Sequence, residues 1–470
     1  MKKSIFGAKS FATSLALLMA SAGGMGALTQ EAQAESLGDA IAMAYAQNPT
    51  LLRARAQQRA ADEGYVQARS YLGPSLNAGA STDYADHSDG LGNRSYTGLS
   101  LSATQTLFAS GGLTASLAAS KATVMSGQQS LRSTEQGVLL DVISVYTAVQ
   151  RDQQALKISQ DNYDILKQQL DQTQAQFDAG QLTRTDVAQS QARLAASAAS
   201  LASAQAQLDT DRATYVAIVG QAPAALDPVP DLPGLPTDLN AALDSAQKNN
   251  PDMQAAMYAE QSAADRVRVA RSVFGPTIGL SAQSGYTAPT NHLGTLSDNE
   301  STSLTARLSI PLFSAGLNGS QVRQAKENLA AQTADVELTR RSVVSTVSQA
   351  WSQMLAARSA VTSNEEGVKA AQIAADGVKT EQQVGLRTNI EVLNAEQDLK
   401  SAQLSLIESQ RNAYVAGSQL LAVTGALDPR AFAPEVEAYD PQANFDKVKN
   451  KGWSPLEPVA RLLDGLASGM

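Results

Sequence analysis

Apolar positions along this chain follow two different periods. From Leu113 to Asp178, and again from about Leu317 to Val384, they recur at helical spacing without a proline and with almost no turn signal. At 1.5 Å per residue each stretch predicts a helix about 100 Å long. Elsewhere the period is two. In "SLTARLSIPLF" the residues Leu304, Ala306, Leu308, Ile310 and Leu312 share one face, with Thr305, Arg307 and Ser309 on the other. "TGLSLSATQTLF" alternates likewise through Leu99, Leu101 and Ala103, while "SLNAGASTDY" and "TIGLSAQSGY" alternate more weakly. The polar loops "ADHSDGLGNR" and "TAPTNHLGTLSDNES" join these segments in pairs. The pattern predicts two β-hairpins with strands of about ten residues, the length that crosses a bilayer at a tilt. A half-buried hairpin in a soluble sheet alternates the same way, so this pattern alone does not choose between them.

Each long helix is followed by a glycine and a second, returning helix. In "TEQQVGLRTNIEVLNAEQDLKSAQ" the break is Gly385; in "TQAQFDAGQLTRTDVAQSQARLAAS" it is Gly180. The returning helices carry heptads. Val392, Leu399, Leu406, Ala413 and Leu420 are spaced by seven, as are Val187, Leu194, Leu201, Leu208 and Tyr215, with Ala or Ser at most of the intervening seam positions. A seven-residue repeat means supercoiled packing, and small seam residues permit close antiparallel approach. Gly180 and Gly385 therefore cap hairpin tips, where glycine takes a left-handed backbone at little cost. Each is followed six residues later by an acid, Asp186 or Glu391.

These correspondences extend along the whole chain. "LGDAIAMAYAQNP" from Leu37 matches "LNAALDSAQKNNP" from Leu239, and "ARSYLGP" from Ala68 becomes "ARSVFGP" from Ala270. "LFASG" at Leu107 becomes "LFSAG" at Leu312, and "ALDP" ends both units, at Ala225 and Ala426. Such a series marks a tandem duplication. The predicted organisation is a leader over 1–34, a first repeat over 35–230, a Pro-rich linker over 221–236, a second repeat over 237–429 and a tail over 430–470. Each repeat holds a helix, a strand hairpin (about 75–108 and 277–313) and a long helical hairpin (about 113–220 and 317–424).

Composition narrows the class. Aromatics make up only 5% of the 470 residues, too few for a compact core of that size but suited to long, closely packed helices. Lys2, Lys3 and Lys9 precede the apolar run "FATSLALLMA", and "EAQA" ends in a small-x-small pattern at Ala34, so residues 1–34 read as a secretory signal. The net charge of −9 becomes −11 once those three lysines and Glu31 are removed, a poor balance for binding nucleic acid. There is no cysteine, which excludes disulfides, thiolate metal sites and a lipid anchor on Cys. After residue 34 no apolar run of 18 residues occurs, so a membrane would have to be crossed by β-structure. Four strands cannot close a membrane barrel, and open edges are not tolerated in lipid. Several copies of the chain would have to pool their strands.

Together, the export signal, the duplicated Asn-Pro and Gly-Pro motifs, the paired hairpins, the tip glycines and the linker "APAALDPVPDLPGLP" resemble the TolC family of outer-membrane efflux proteins, over essentially the whole mature chain. The resemblance implies a mainly α fold with a β-barrel. Three chains would form a 12-stranded outer-membrane barrel and a long periplasmic α-barrel. It implies a gated exit duct for efflux or type I secretion, without cofactor, working with a periplasmic adaptor and an inner-membrane pump. Lacking a lipidated cysteine, the chain resembles the unlipidated branch.

The resemblance also implies a site at the tips. Arg387 would bond to Thr185 and Asp186 of the first repeat and hold the duct closed. Gln382 stands where relatives carry a latch tyrosine. Glu391 would line the entrance constriction, and Asn394 stands where relatives carry a second acid. The tips themselves, Gly180 and Val384–Gly385–Leu386, would meet the adaptor. Tyr146 and Trp351, equivalent in the two repeats, read as packing anchors, and the two histidines, His87 and His292, as loop residues rather than a metal pair. No Ser-His-Asp set, phosphate loop or carboxylate pair in an apolar setting marks an enzyme. The competing readings are a periplasmic coiled-coil adaptor, which would carry one helical hairpin between β-rich flanks, and a structural surface protein.

Overall fold

The structure is a computed structural model, described here over residues 35–85, 94–289 and 300–467. Residues 1–34, read above as a secretory signal, and His87 and His292 lie outside the described residues. The described chain starts with α1 (Leu37–Gln47) and α2 (Pro49–Ser70), then β1 (Ser75–Ala85) and β2 (Arg94–Phe108). Next come α3 (Gly112–Asp178) and α4 (Arg184–Val219). The second repeat retraces this order with α5 (Leu239–Asn249), α6 (Pro251–Ser272), β3 (Thr277–Pro289), β4 (Glu300–Ser309), α7 (Leu317–Gln383) and α8 (Asn389–Val423). The tail adds α9 (Pro441–Val448) and α10 (Glu457–Ala467).

The repeated Asn-Pro has a physical role in both copies. Asn48 ends α1, and its side-chain oxygen accepts from Thr50 N to cap α2, whose first residue is Pro49. Its amide also donates to Ile218 O (2.9 Å), one of the unpaired carbonyls at the end of α4. Asn250 does the same for α6, bonding Met253 N and donating to Val423 O (2.9 Å) at the end of α8. One side chain thus joins the start of each repeat to its finish.

All four strands form a single antiparallel sheet in the order β1-β2-β3-β4, so the two hairpins are joined through β2 and β3. The register places Leu76, Leu99, Leu101, Ile278, Leu280, Leu304 and Leu308 on one face. Ser, Thr, Gly and Gln dominate the other. Among the described residues β1 and β4 each pair with one strand only. Every residue of β4 is exposed, Leu304 at 73%. The sheet passes into α3 and α7 through paired left-handed residues, Ser110–Gly111 and Ala315–Gly316, which turn the chain sharply.

Both long helices have 67 residues, about 100 Å at 1.5 Å per residue. Each packs along its returning partner, and α3 also packs on α6 and α8. The main core lies midway along α3. There Val138, Val142, Ile143, Tyr146 and Val149 pack against Leu37, Ile41 and Leu51, and against Leu208, Tyr215 and Val219 of α4. Tyr146 is fully buried, and its hydroxyl donates to Glu35 O (2.8 Å) and Asp227 O (2.7 Å), tying the N-terminus and linker to α3. Its duplicate Trp351 is only half-buried, packed at the side of a smaller cluster of Ala242, Ala246, Val347, Ala350, Met354 and Leu420.

Candidate pore gate at the hairpin tips

Each tip is built from backbone geometry first. Gly180 (φ +75°) and Gly385 (φ +79°) are left-handed. The next amide turns back to the helix, Gln181 N to Gln176 O (2.9 Å) and Leu386 N to Glu381 O (2.9 Å), satisfying carbonyls at the helix end. Val384 and Leu386 stand 69% and 75% exposed at the second tip.

The acids six residues past each glycine open the returning helices. Thr183 and Asp186 form a capping box on α4, and Thr388 and Glu391 form one on α8. Asp186 Oδ2 accepts from Thr183 N (3.0 Å) and Thr183 Oγ1 (2.7 Å). Glu391 Oε2 accepts from Thr388 N and Oγ1, both at 2.8 Å. These bonds favour the charged forms. Those from Thr183, side chain and then backbone, hold Asp186 below the usual carboxylate range. The Thr388 N–H, followed by Arg387, brings Glu391 down to about 2. The T-x-x-D and T-x-x-E spacing was the available sequence signal for this structural role.

Arg387 spans its own tip. Its Nε donates to Glu381 Oε2 (2.7 Å) at the end of α7, and its Nη1 to Glu391 Oε1 (2.8 Å) at the start of α8. The expected contact of Arg387 with Thr185 and Asp186 is therefore not the one made within this chain. Two carboxylates of the same hairpin lie nearer, one of them at i+4, and they take both sides of the guanidinium. Thr185 is exposed, and Gln382 is half-buried, its carbonyl accepting from Gly385 N (3.0 Å).

Between the hairpins lies a polar seam that sequence reasoning missed. Asn389 Nδ2 donates to Ser190 Oγ (3.0 Å), and Gln169 Nε2 donates to Asn389 Oδ1 (2.8 Å), with all of these residues buried or half-buried. Five residues on, Arg193 Nη2 donates to Asn394 Oδ1 (2.7 Å). Asn394 therefore works as a neutral acceptor joining α8 to α4 rather than as a second acid. Lys400 Nζ reaches Ser200 Oγ (3.0 Å) farther along the same seam. Small residues at one heptad position were the only signal for it. Among the described residues no group of His, Cys, Asp and Glu is arranged to hold a metal. No described helix is long and apolar enough to cross a membrane.

A profile described as outer membrane efflux protein matches residues 40–221 and 242–426, one copy per repeat. The chain belongs to the outer membrane efflux protein family. It is 31% identical over 442 residues to the outer membrane efflux protein BepC of Brucella suis, covering 92% of this chain and 94% of that one. To the outer membrane protein TolC of Escherichia coli it is 28% identical over 457 residues, covering 91% and 92%. The Campylobacter jejuni CmeC outer membrane channel has the same fold, with a TM-score of 0.76 at 14% identity over 89% of this chain and 90% of that one. As a member of this family the chain is an outer-membrane channel for efflux or secretion that extends into the periplasm, in a family of transport proteins rather than enzymes. The adaptor and surface-protein readings fall with that assignment.

Proposed function

We propose that three copies of this chain form one exit duct, with a 12-stranded barrel in the outer membrane and the long hairpins as a periplasmic tunnel. The observation that carries this reading is the sheet, four strands with an apolar face and two edges unpaired within the chain. Lipid leaves no solvent to satisfy those edges, so β4 of one copy pairs with β1 of the next until the barrel closes. A periplasmic adaptor meets the tips at Gly180 and Val384–Gly385–Leu386, and an inner-membrane pump supplies the cargo. The deciding experiment measures the mass of the folded protein in detergent and its conductance in a planar bilayer. A trimer that conducts is expected. A folded monomer with full strand content and no conductance overturns the reading.

In the closed duct the gate is a choice of partners for Arg387. The Arg387 side chain is 46% exposed, and its guanidinium is bound to two carboxylates of its own hairpin. Asp186 stands at the equivalent point of the first-repeat tip, with both Thr183 bonds on one of its oxygens. Bringing the tips together around the axis lets Arg387 exchange one carboxylate for Asp186, beside Thr185 and Gln382. Glu391 then faces the narrowed entrance, with Asn394 one turn farther in. Solvent screens an exposed pair, so each contributes little. Exchange between such pairs costs little, which suits a gate that a docked adaptor must open.

A further inference from the structure

The tail helix α10 is inside out for a helix in water. Its two acids, Glu457 and Asp464, are 4% and 0% exposed, while Leu462 and Leu466 are 67% and 68% exposed, with Val459 and Leu463 completing the same stripe. Residues 459, 462, 463 and 466 are spaced by three and four, so the apolar side chains form one continuous face. The buried side is held by specific bonds. Glu457 pairs with Arg69 (2.8 Å) near the end of α2. Asp464 Oδ1 accepts from Ala109 N (2.8 Å) and Gly111 N (3.0 Å). Asp464 Oδ2 accepts from Thr114 N (2.9 Å) and Thr114 Oγ1 (3.0 Å). Gly111, at the N-cap of α3, has no side chain to cap the helix, and Asp464 fills that role from the tail. The orientation of α10 is therefore set by charge satisfaction, and it turns the leucines outward.

We propose that α10 lies on the periplasm-facing leaflet of the outer membrane, with its leucine face in the lipid interface at the rim of the barrel. Three observations favour lipid as the occupant. The first is position. The anchors of α10 are the β2–α3 junction and the end of α2, and Ser454 lies against Gly73, two residues before β1 begins. The second is continuity with the apolar sheet face. Gln105, on the face that carries Leu99 and Leu101, donates to Leu72 O (3.0 Å), and Leu72 packs with Ala460 of α10. Phe274, the second-repeat counterpart of Leu72, has no such cover and is 54% exposed at the same level. The third is chemistry. The segment leading into α10 carries Lys447, Lys449 and Lys451 and then Trp453, which is 58% exposed. Cations beside an exposed tryptophan and a leucine stripe suit an interface of anionic headgroups and acyl chains. This helix gives a chain without a cysteine a second hold on the membrane.

The test uses the full-length channel, refolded and conducting, in phosphatidylethanolamine–phosphatidylglycerol vesicles with or without brominated acyl chains. The chain has two tryptophans, and Trp351 lies about 50 Å along α7 from its start near the sheet. In a Trp351→Phe background the emission of Trp453 should fall about twofold or more in brominated vesicles. A Leu466→Trp variant also carrying Trp351→Phe and Trp453→Phe should be quenched at least as strongly. Trp351 alone, in Trp453→Phe, should be unaffected. Adding Leu462→Asp to the Leu466→Trp variant should remove the quenching while conductance persists. Unquenched Trp453 and unquenched Leu466→Trp in conducting vesicles overturn the proposal and leave the duct reading intact. Loss of the oligomer on Leu462→Asp, with Leu466→Trp unquenched, also overturns it and makes the stripe a contact between copies.

Discussion

At the scale of single residues, the second tip is built around one arginine held by two carboxylates. Glu381 and Glu391 share Arg387 within the chain, and Asp186 of the other hairpin is the competitor in the gate proposed above. Replacing Arg387 by Ser removes every one of these pairings and should raise single-channel conductance while the folded assembly persists. Asp186→Asn should do the same more weakly, because an amide still accepts from Thr183. Unchanged conductance in both variants would make Arg387 a solvated tip charge. The acid limit of the tip follows from Glu391. Its carboxyl lies at about 2 rather than the usual 4.5, with the Thr388 N–H as the largest cause and Arg387 next. A depressed acid contributes stability that is fully present above the ordinary value and is lost as pH falls towards about 2. Conductance recorded between pH 7 and 5 should therefore show no titration of this group, and Glu391→Gln should leave that flat profile while lowering cation preference. That preference is read from reversal potentials across a salt gradient, and it should fade with ionic strength.

Among the elements, the paired Asn-Pro caps and the paired tips are the points where one substitution acts on a whole hairpin. Asn250→Ala removes the cap of α6 and leaves Val423 O at the end of α8 without its donor. Losing the cap alone costs about 1 kcal/mol, and the orphaned carbonyl adds about 1 kcal/mol or more. The expected result is a lowered unfolding midpoint in helical circular dichroism, with Asn48→Ala giving a similar loss in the first repeat. Gly385 differs, because nothing crowds its side-chain position and the constraint is its left-handed backbone alone. Gly385→Glu should therefore fold and insert, with a strain of about 1–2 kcal/mol. It should nevertheless abolish efflux if the tip meets the adaptor as proposed, since it puts a charge between the exposed Val384 and Leu386. Normal export by that variant would move the contact elsewhere.

For the whole molecule, the decisive feature is incompleteness. One chain presents a sheet open at β1 and β4, with Leu304 and Leu308 exposed on β4. The second-repeat helix α7 has only Val347, Ala350, Met354 and Ala375 buried, against many more on α3. Both facts point to the same missing neighbour along the β4–α7 side. Assembly should accordingly be cooperative. Replacing Leu338, 66% exposed on α7, by Asp should weaken the oligomer in detergent without lowering the helical content of the chain. A full-strength oligomer in that variant would place the contact off α7.

The sequence by itself determined what is local and repeated: the two periods, the duplication, the tips at Gly180 and Gly385, and hence the family. Each depends on residues close in the chain, and a periodic face can be read without knowing its neighbour. The acid six residues past each tip glycine is a short-range signal as well, whereas a gate at the tips is what the family resemblance implies. Only the tertiary structure decided which charges meet. Arg387 meets Glu381 because the tip turn brings the end of α7 back to it, and the partner of such a charge is chosen by distance through space. The same holds for the β2–β3 pairing that unites the two hairpins, and for Asn389 and Asn394 meeting Ser190 and Arg193 across the seam. For α10 the spacing of its leucines announces an amphipathic helix, but not which side is buried. Arg69 and the amides of the β2–α3 junction, hundreds of residues away in sequence, draw in Glu457 and Asp464 and so turn the apolar face out.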